Sequence, residues 1–344
     1  MSDGILAELQ ARVARLKADP GLGEALVTEA RSGFRWHTGP EVTEAYLRAC
    51  TLPGRWAFAG GGAASEALLA RLTETDSPLR LEALVSLPGG LRPGTSGLPQ
   101  LGPEELRRDQ GLQVLLCPSQ AGRPAALALA GELPGNRLLD PSRDPRFREV
   151  HDALVAGPLH EGLLARIRAA CPRVKNVVLL PHLDFWAVVE EETLAEALPP
   201  ETTVRLYYGP PGKMPESVLY PTFDLGQCLP LAEGLLHALA PHSLYVRTSA
   251  QFRNGAFPAA LRAAFPGPFL ALEVYDYATM LEDVFLNAWG YSPGQADAIR
   301  NAELLLALEA DLVLDKTPGA EWEQAASALL PGPRCAYAPT LGTR

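Results

Sequence analysis

Few cysteines, no long apolar run and no excess of positive charge define this chain by subtraction. Five of its 344 residues are cysteine, at positions 50, 117, 171, 228 and 335. None forms a C-x-x-C pair, so spacing gives no zinc site. An odd, scattered set reads as reduced, mostly buried thiols. No apolar stretch approaches the length of a membrane span. The opening, MSDGILAELQARVARLK, carries acids and lacks the apolar centre of a secretory signal. These absences predict a cytoplasmic protein with no membrane span. Thirty lysines and arginines stand against 40 acids, a formal net charge of −10. With no basic stripe either, nucleic acid is not an expected partner. The segment YYGPPGKMP lacks the spacing of a phosphate-binding P-loop.

Apolar residues make up 47% and charged residues 20%. That is material for large cores, and the length suits two domains. Ile5, Leu6, Leu9, Val13 and Leu16 recur at helical spacing over 4–18, and PEVTEAYLRAC predicts a second helix at about 40–50. Each carries one narrow apolar stripe, which favours core packing over partner binding. From residue 55 strand and helix patterns alternate. RWAFAG, LRLEALVSL and LQVLLCPS read as strands; AASEALLARLTE, GPEELRRDQ and GRPAALALAGEL read as helices. Apolar runs separated by helices predict a parallel sheet covered on both faces.

The stretch 134–148, PGNRLLDPSRDPRFR, reads as a linker. A second alternation follows, with strands predicted in KNVVLLPH, TTVRLYYG, SLYVRTS, PFLALEVYD, ADLVLDK and RCAYAPT. Helices are predicted at 160–170, 190–198, 229–239, 257–264, 295–308 and 320–329. Ser292 and Pro293 look like the start of the 295–308 helix. The expected organisation is an N-terminal helical segment 1–50, a Rossmann-like domain 51–145 and a second α/β domain 146–344. Both domains are expected to be doubly wound and mainly parallel.

The run WAFAGGGAASEALLARL places Gly60, Gly61, Gly62 and Ser65 between a strand and a helix. Glycine permits a tight bend and close approach of a phosphate, and the helix N-terminus offers unpaired N–H groups. G-x-G-x-x-S is a near variant of the nucleotide fingerprint. With RLEALVSL and GLPQLGPEEL after it, the region 55–140 resembles Rossmann-like domains of sugar-modifying proteins. The resemblance implies nucleotide binding at Gly60, Gly61, Gly62 and Ser65. It places Ser86 where such domains often carry a ribose-binding aspartate, and Glu82 lies inside the strand. A structural turn stands beside the nucleotide-binding reading.

SLYVRTSAQFRNGAFPAALRAAFPGPFLALEVYDYATML and NAELLLALEADLVLDKT resemble the acceptor-side half of two-domain GT-B-type glycosyltransferases, over about 170–340. The matching positions are Arg247, Thr248 and Ser249, then Glu273, Tyr275 and Asp276, then Glu303, Ala310, Asp311 and Lys316. Arg247, Ser249, Asp276 and Lys316 fall at or just after predicted strand ends, where open parallel sheets bind ligands. Asp276 suits a base toward a sugar hydroxyl. Arg247, Ser249 and Lys316 suit substrate or phosphate binding. His182, with Asp184 as orienter, is a further catalytic candidate. The bland alternatives are an Asp276 that caps the following helix and an Arg247 that pairs with Asp276 across the crevice.

The resemblance implies a glycosyltransferase-like protein of bacterial polysaccharide or protein glycosylation. Its ligands would be a nucleotide sugar and a sugar acceptor. CAYAPTLGTR reads as the approach to a donor domain, so a second protein chain is an expected partner. No cofactor follows from the residues, and a nucleotide or nucleotide sugar is the implied ligand class. The alternative is a non-catalytic scaffold or regulator that binds a nucleotide or nucleotide sugar. A nicotinamide-dependent oxidoreductase is disfavoured by Ser86 and by the lack of a Y-x-x-x-K pair.

Overall fold

The protein is described by a computed structural model over residues 3–33, 39–74, 76–87, 91, 96–117, 128–129, 131–134, 137–180, 195–209, 214, 217–248, 256–274, 293–315 and 334–337. It is an α/β structure with two compact units, 37–159 and 1–36 together with 160–344. The chain begins with α1 (Asp3–Ala18) and α2 (Pro20–Gly33), both of the larger unit, and then enters the smaller one.

The smaller unit runs α3 (Pro40–Ala49), β1 (Arg55–Ala59), α4 (Gly62–Leu72), β2 (Leu81–Val85), β3 (Gln100–Leu101), α5 (Pro103–Arg108), β4 (Leu112–Leu116), β5 (Leu138–Leu139) and α6 (Pro145–Ala156). Its strands lie in the order β3-β2-β1-β4-β5, all parallel. Trp56 to Ala59 are all buried, as are Ala83 to Val85 and Val114 to Leu116. Burial of consecutive residues means that both faces are covered, and this is why the strands read as unbroken apolar runs. Ala57, Ala59, Val85, Val114 and Leu116 form one core with Leu106, Leu129 and Leu133.

The stretch 134–148 is not a linker. It holds β5, a tight turn at Pro141–Arg143 and the start of α6. Asp144 caps α6 by accepting the Arg146 N–H at 3.0 Å, and Pro145 takes the first helical position. Helix starts and linkers draw on the same residues, Pro and Asp, so composition does not separate them.

The larger unit continues with α7 (Pro158–Ala170), β6 (Asn176–Leu180), β7 (Thr203–Tyr207), β8 (Thr222–Asp224), α8 (Leu229–Leu239), β9 (Ser243–Thr248), α9 (Ala256–Ala264), β10 (Phe269–Val274), α10 (Pro293–Leu308), β11 (Leu312–Asp315) and β12 (Arg334–Tyr337). The order is β12-β11-β10-β9-β6-β7-β8, again all parallel. Val178, Leu180, Tyr207, Tyr245 and Ala271 form a core with Leu198, Leu312 and Leu314. α2 packs on α9 and α10, and α1 on α10. Arg12, buried on α1, bonds Glu8 and, at 2.8 Å, Asp297 of α10. The helices grouped from sequence as 1–50 therefore divide. α1 and α2 belong to the larger unit, and α3 packs on α4 and α6 of the smaller.

Candidate functional site

Both sheets share one topology. In each, the first three strands run outward in one direction and the fourth returns to the other side of the first. The reversal lies between β1 and β4 in the smaller unit and between β6 and β9 in the larger. Loops at the carboxyl ends of such strand pairs diverge and leave a crevice, the usual ligand position of an open parallel sheet.

Gly60, Gly61, Gly62 and Ser65 occupy the first of these points. Ala59 is in register with Leu116 of β4, and Gly60 follows it directly. A Cβ at position 60 would lie 2.7 Å from Ser65 Oγ and 2.8 Å from Cys117 Cβ, so the turn closes tightly on β4. Gly62 has φ of 75°, left-handed backbone that glycine adopts without strain. Ser65 is fully buried. Its hydroxyl accepts the Gly61 N–H at 2.9 Å and donates to the Gly61 carbonyl at 2.8 Å. The serine is thus spent on the turn. What the start of α4 offers an anion is the N–H groups of its first turn, which have no intrahelical acceptor. Ser86 stands exposed just after β2. Glu82 is bound to Arg55 at 2.5 Å and Arg80 at 2.9 Å, so neither supplies a ribose carboxylate there.

The second point carries charge. Arg247 is the penultimate residue of β9, next to β6, and is in register with Glu273 of β10. The two form an ion pair, Nε to Oε1 at 2.9 Å, with relative exposures of 5% and 2%. Tyr245 lies two residues before Arg247 on the same face, and its hydroxyl donates to Glu273 Oε2. Tyr208 reaches the Arg247 carbonyl with its hydroxyl at 3.4 Å and stacks on Phe257 at 4.4 Å between ring centres. Arg205, in the middle of β7, is buried as well. Burial, and then the field of Arg247, bring the Arg205 guanidinium down to about 10, with Tyr220 acting weakly the other way. Burial and then the charge of Asp224 push the Tyr207 phenol up. A row of charged and phenolic groups thus crosses β7, β9 and β10 on a face otherwise built from Val178, Leu180, Ala271 and Leu312.

Of the residues singled out from sequence, the described structure places Arg247, Thr248 and Glu273 at the carboxyl ends of adjacent strands. His182, Asp184, Ser249, Tyr275, Asp276 and Lys316 lie outside the described residues. Asp311 belongs at the opposite edge. It precedes β11, and its carboxylate accepts the Leu270 N–H at 2.8 Å. Arg205 and Tyr245 escaped the sequence reading. Their signal was a charge or phenol inside TTVRLYYG and SLYVRTS, strands otherwise apolar enough for burial on both faces; such groups are costly unless bonded. Among the described residues no group of three or more His, Cys, Asp or Glu could hold a metal ion. No described helix is long and apolar enough to cross a membrane.

No family model matches the chain. No curated protein matches it. Among solved structures it is similar to the wall teichoic acid polymerase TagF, at 10% identity and a TM-score of 0.28, over 96% of this chain and 92% of that one. At that score the likeness carries no argument. The α/β assignment rests on the chain's own strand order.

Proposed function

We propose that this chain is a glycosyltransferase-like protein, acting in bacterial polysaccharide or protein glycosylation with a second chain, and that it binds the phosphates of a nucleotide sugar at the carboxyl edge of the larger unit. The observation that carries the reading is Arg247, a buried guanidinium beside the β6–β9 reversal, fixed by Glu273. Guanidinium is the side-chain group best matched to phosphate oxygens. In the proposal Arg247, Ser249 and Lys316 hold phosphate or substrate. Asp276 takes a proton from the acceptor hydroxyl, with His182 as a second catalytic candidate. Gly60, Gly61, Gly62 and Ser65 enter as the nucleotide-type turn of the smaller unit, which presents the first-turn N–H groups of α4 while the Gly61 N–H stays with Ser65.

Titration calorimetry with nucleoside diphosphates, nucleotide sugars and NAD tests the reading. The expected result is binding of the diphosphates and nucleotide sugars, weakened in Arg247→Lys because an ammonium cannot reproduce a bidentate fork. Tight binding of NAD alone would overturn it. A second reading, a non-catalytic nucleotide-binding scaffold, is favoured by the self-closed Ser65 turn. Release of nucleoside diphosphate in the presence of acceptor, abolished in Asp276→Asn, separates the two.

A further inference from the structure

We infer that Glu273 and Tyr245 are positioning residues that orient the Arg247 guanidinium for the diphosphate group of a nucleotide ligand, an inference that rests on the binding reading above. Three side chains on two adjacent strands form the device. Glu273 is the direct cross-strand partner of Arg247, and the two are in ion-pair contact, Glu273 Oε1 lying 2.9 Å from Arg247 Nε. The other oxygen accepts the hydroxyl of Tyr245. Tyr245 stands on the same strand and face as Arg247, so the carboxylate is held from both sides by β9.

A free arginine side chain has rotamer entropy to lose when it grips an anion. A carboxylate in ion-pair contact beside Nε reduces that loss in the folded protein, because its charge confines the guanidinium to one position. Preorganised donors of this kind bind a developing or resident negative charge without reorganisation. The placement argues for this role over simple packing. Buried ion pairs are often no more stabilising than apolar residues of the same shape. The surrounding face is built from Val178, Leu180, Ala271 and Leu314, which would accept such residues. The pair nevertheless sits one residue from the carboxyl ends of β9 and β10, beside the reversal of strand order. Tyr245 adds a bond to the carboxylate, as a group that orients Glu273 would.

Calorimetry on the full chain compares UDP, GDP, ADP and CDP, each beside its nucleoside, and inorganic pyrophosphate, for wild type, Glu273→Gln and Tyr245→Phe. A thermal melt accompanies each variant. The inference expects wild type to prefer diphosphate to nucleoside. Glu273→Gln should lose about tenfold in diphosphate and pyrophosphate affinity and Tyr245→Phe somewhat less, with nucleoside affinity unchanged. Should Glu273→Gln fail to fold, Tyr245→Phe decides alone, since it deletes one hydroxyl and keeps the ring. Unchanged diphosphate affinity in the folded variants, beside a wild type that binds, overturns the positioning role and leaves the binding reading standing. An equal loss for nucleoside and diphosphate also overturns it, because a merely structural pair would act that way. A wild type that binds none of these probes overturns both.

Discussion

Gly60 has no room for a methyl group, since both Ser65 Oγ and Cys117 Cβ stand where one would go. Gly60→Ala should therefore cost roughly 1–3 kcal/mol by overpacking, read as faster amide exchange in β1 and β4. The sequence motif made this turn visible, but not the use of Ser65, because a hydroxyl's partner is set by the bend that it closes. Asp144 gives a second residue-level prediction. The Arg146 guanidinium first, then the Tyr46 hydroxyl at 2.7 Å and the Arg146 N–H, hold its carboxyl down at about 2. A carboxylate with a depressed folded value stabilises above its unfolded value, about 4, and loses that contribution as pH falls toward about 2. Asparagine still caps a helix but does not titrate there. The stability gap between wild type and Asp144→Asn, followed by exchange of α6 amides, should be full above pH 4 and shrink toward pH 2. A gap constant over that range would show that the carboxylate's charge contributes nothing.

Elements with a strong apolar signature were legible and those without one were not. β1, β2 and β4 lie inside the predicted runs RWAFAG, LRLEALVSL and LQVLLCPS, and β6, β7 and β9 inside theirs, because burial on both faces demands unbroken apolar residues. β3, β5 and β8 are two or three residues long, too short for any periodicity. α2 starts with Pro20 and holds Gly21 and Gly23, so its residues read as breakers although α9 and α10 cover it. α5 ends through a side chain that lay in the expected linker. Arg137 donates to the carbonyls of Leu106 at 3.0 Å, Asp109 at 2.7 Å and Leu112 at 2.6 Å, tying the end of α5 to the start of β4 and β5. Arg137→Ala should cost roughly 2–4 kcal/mol by leaving these carbonyls without their charged donor. Arg137→Lys should recover only part, since an ammonium lacks the second donor of the guanidinium, the Nε–H that reaches the Leu112 carbonyl at 3.0 Å. Urea unfolding of the two variants beside wild type checks both.

At the scale of the whole molecule, one chain carries two sheets with the same reversal, and its first 36 residues belong with its last 185-odd through α1, α2, α9 and α10. Alternating strands and helices announced the architecture. The split of the N-terminal helices was not legible, because an apolar stripe says that a helix packs but not on what. A fragment spanning 37–159 should fold cooperatively by itself. Deletion of 1–36 should lower the melting temperature of the larger unit by uncovering α9 and α10. Loss of folding in the isolated 37–159 fragment would contradict the division. For the site, Arg247 was legible as a charge ending an apolar strand, whereas its partner Glu273 required the register of β9 on β10. The proposal as a whole is most directly tested by a crystal structure of the protein soaked with the nucleoside diphosphate that binds it most tightly in solution. The account predicts phosphate oxygens within hydrogen-bond distance of the Arg247 guanidinium, at the carboxyl ends of β6 and β9. A nucleotide bound away from that edge, or crystals that take up none at saturating concentration, would contradict it.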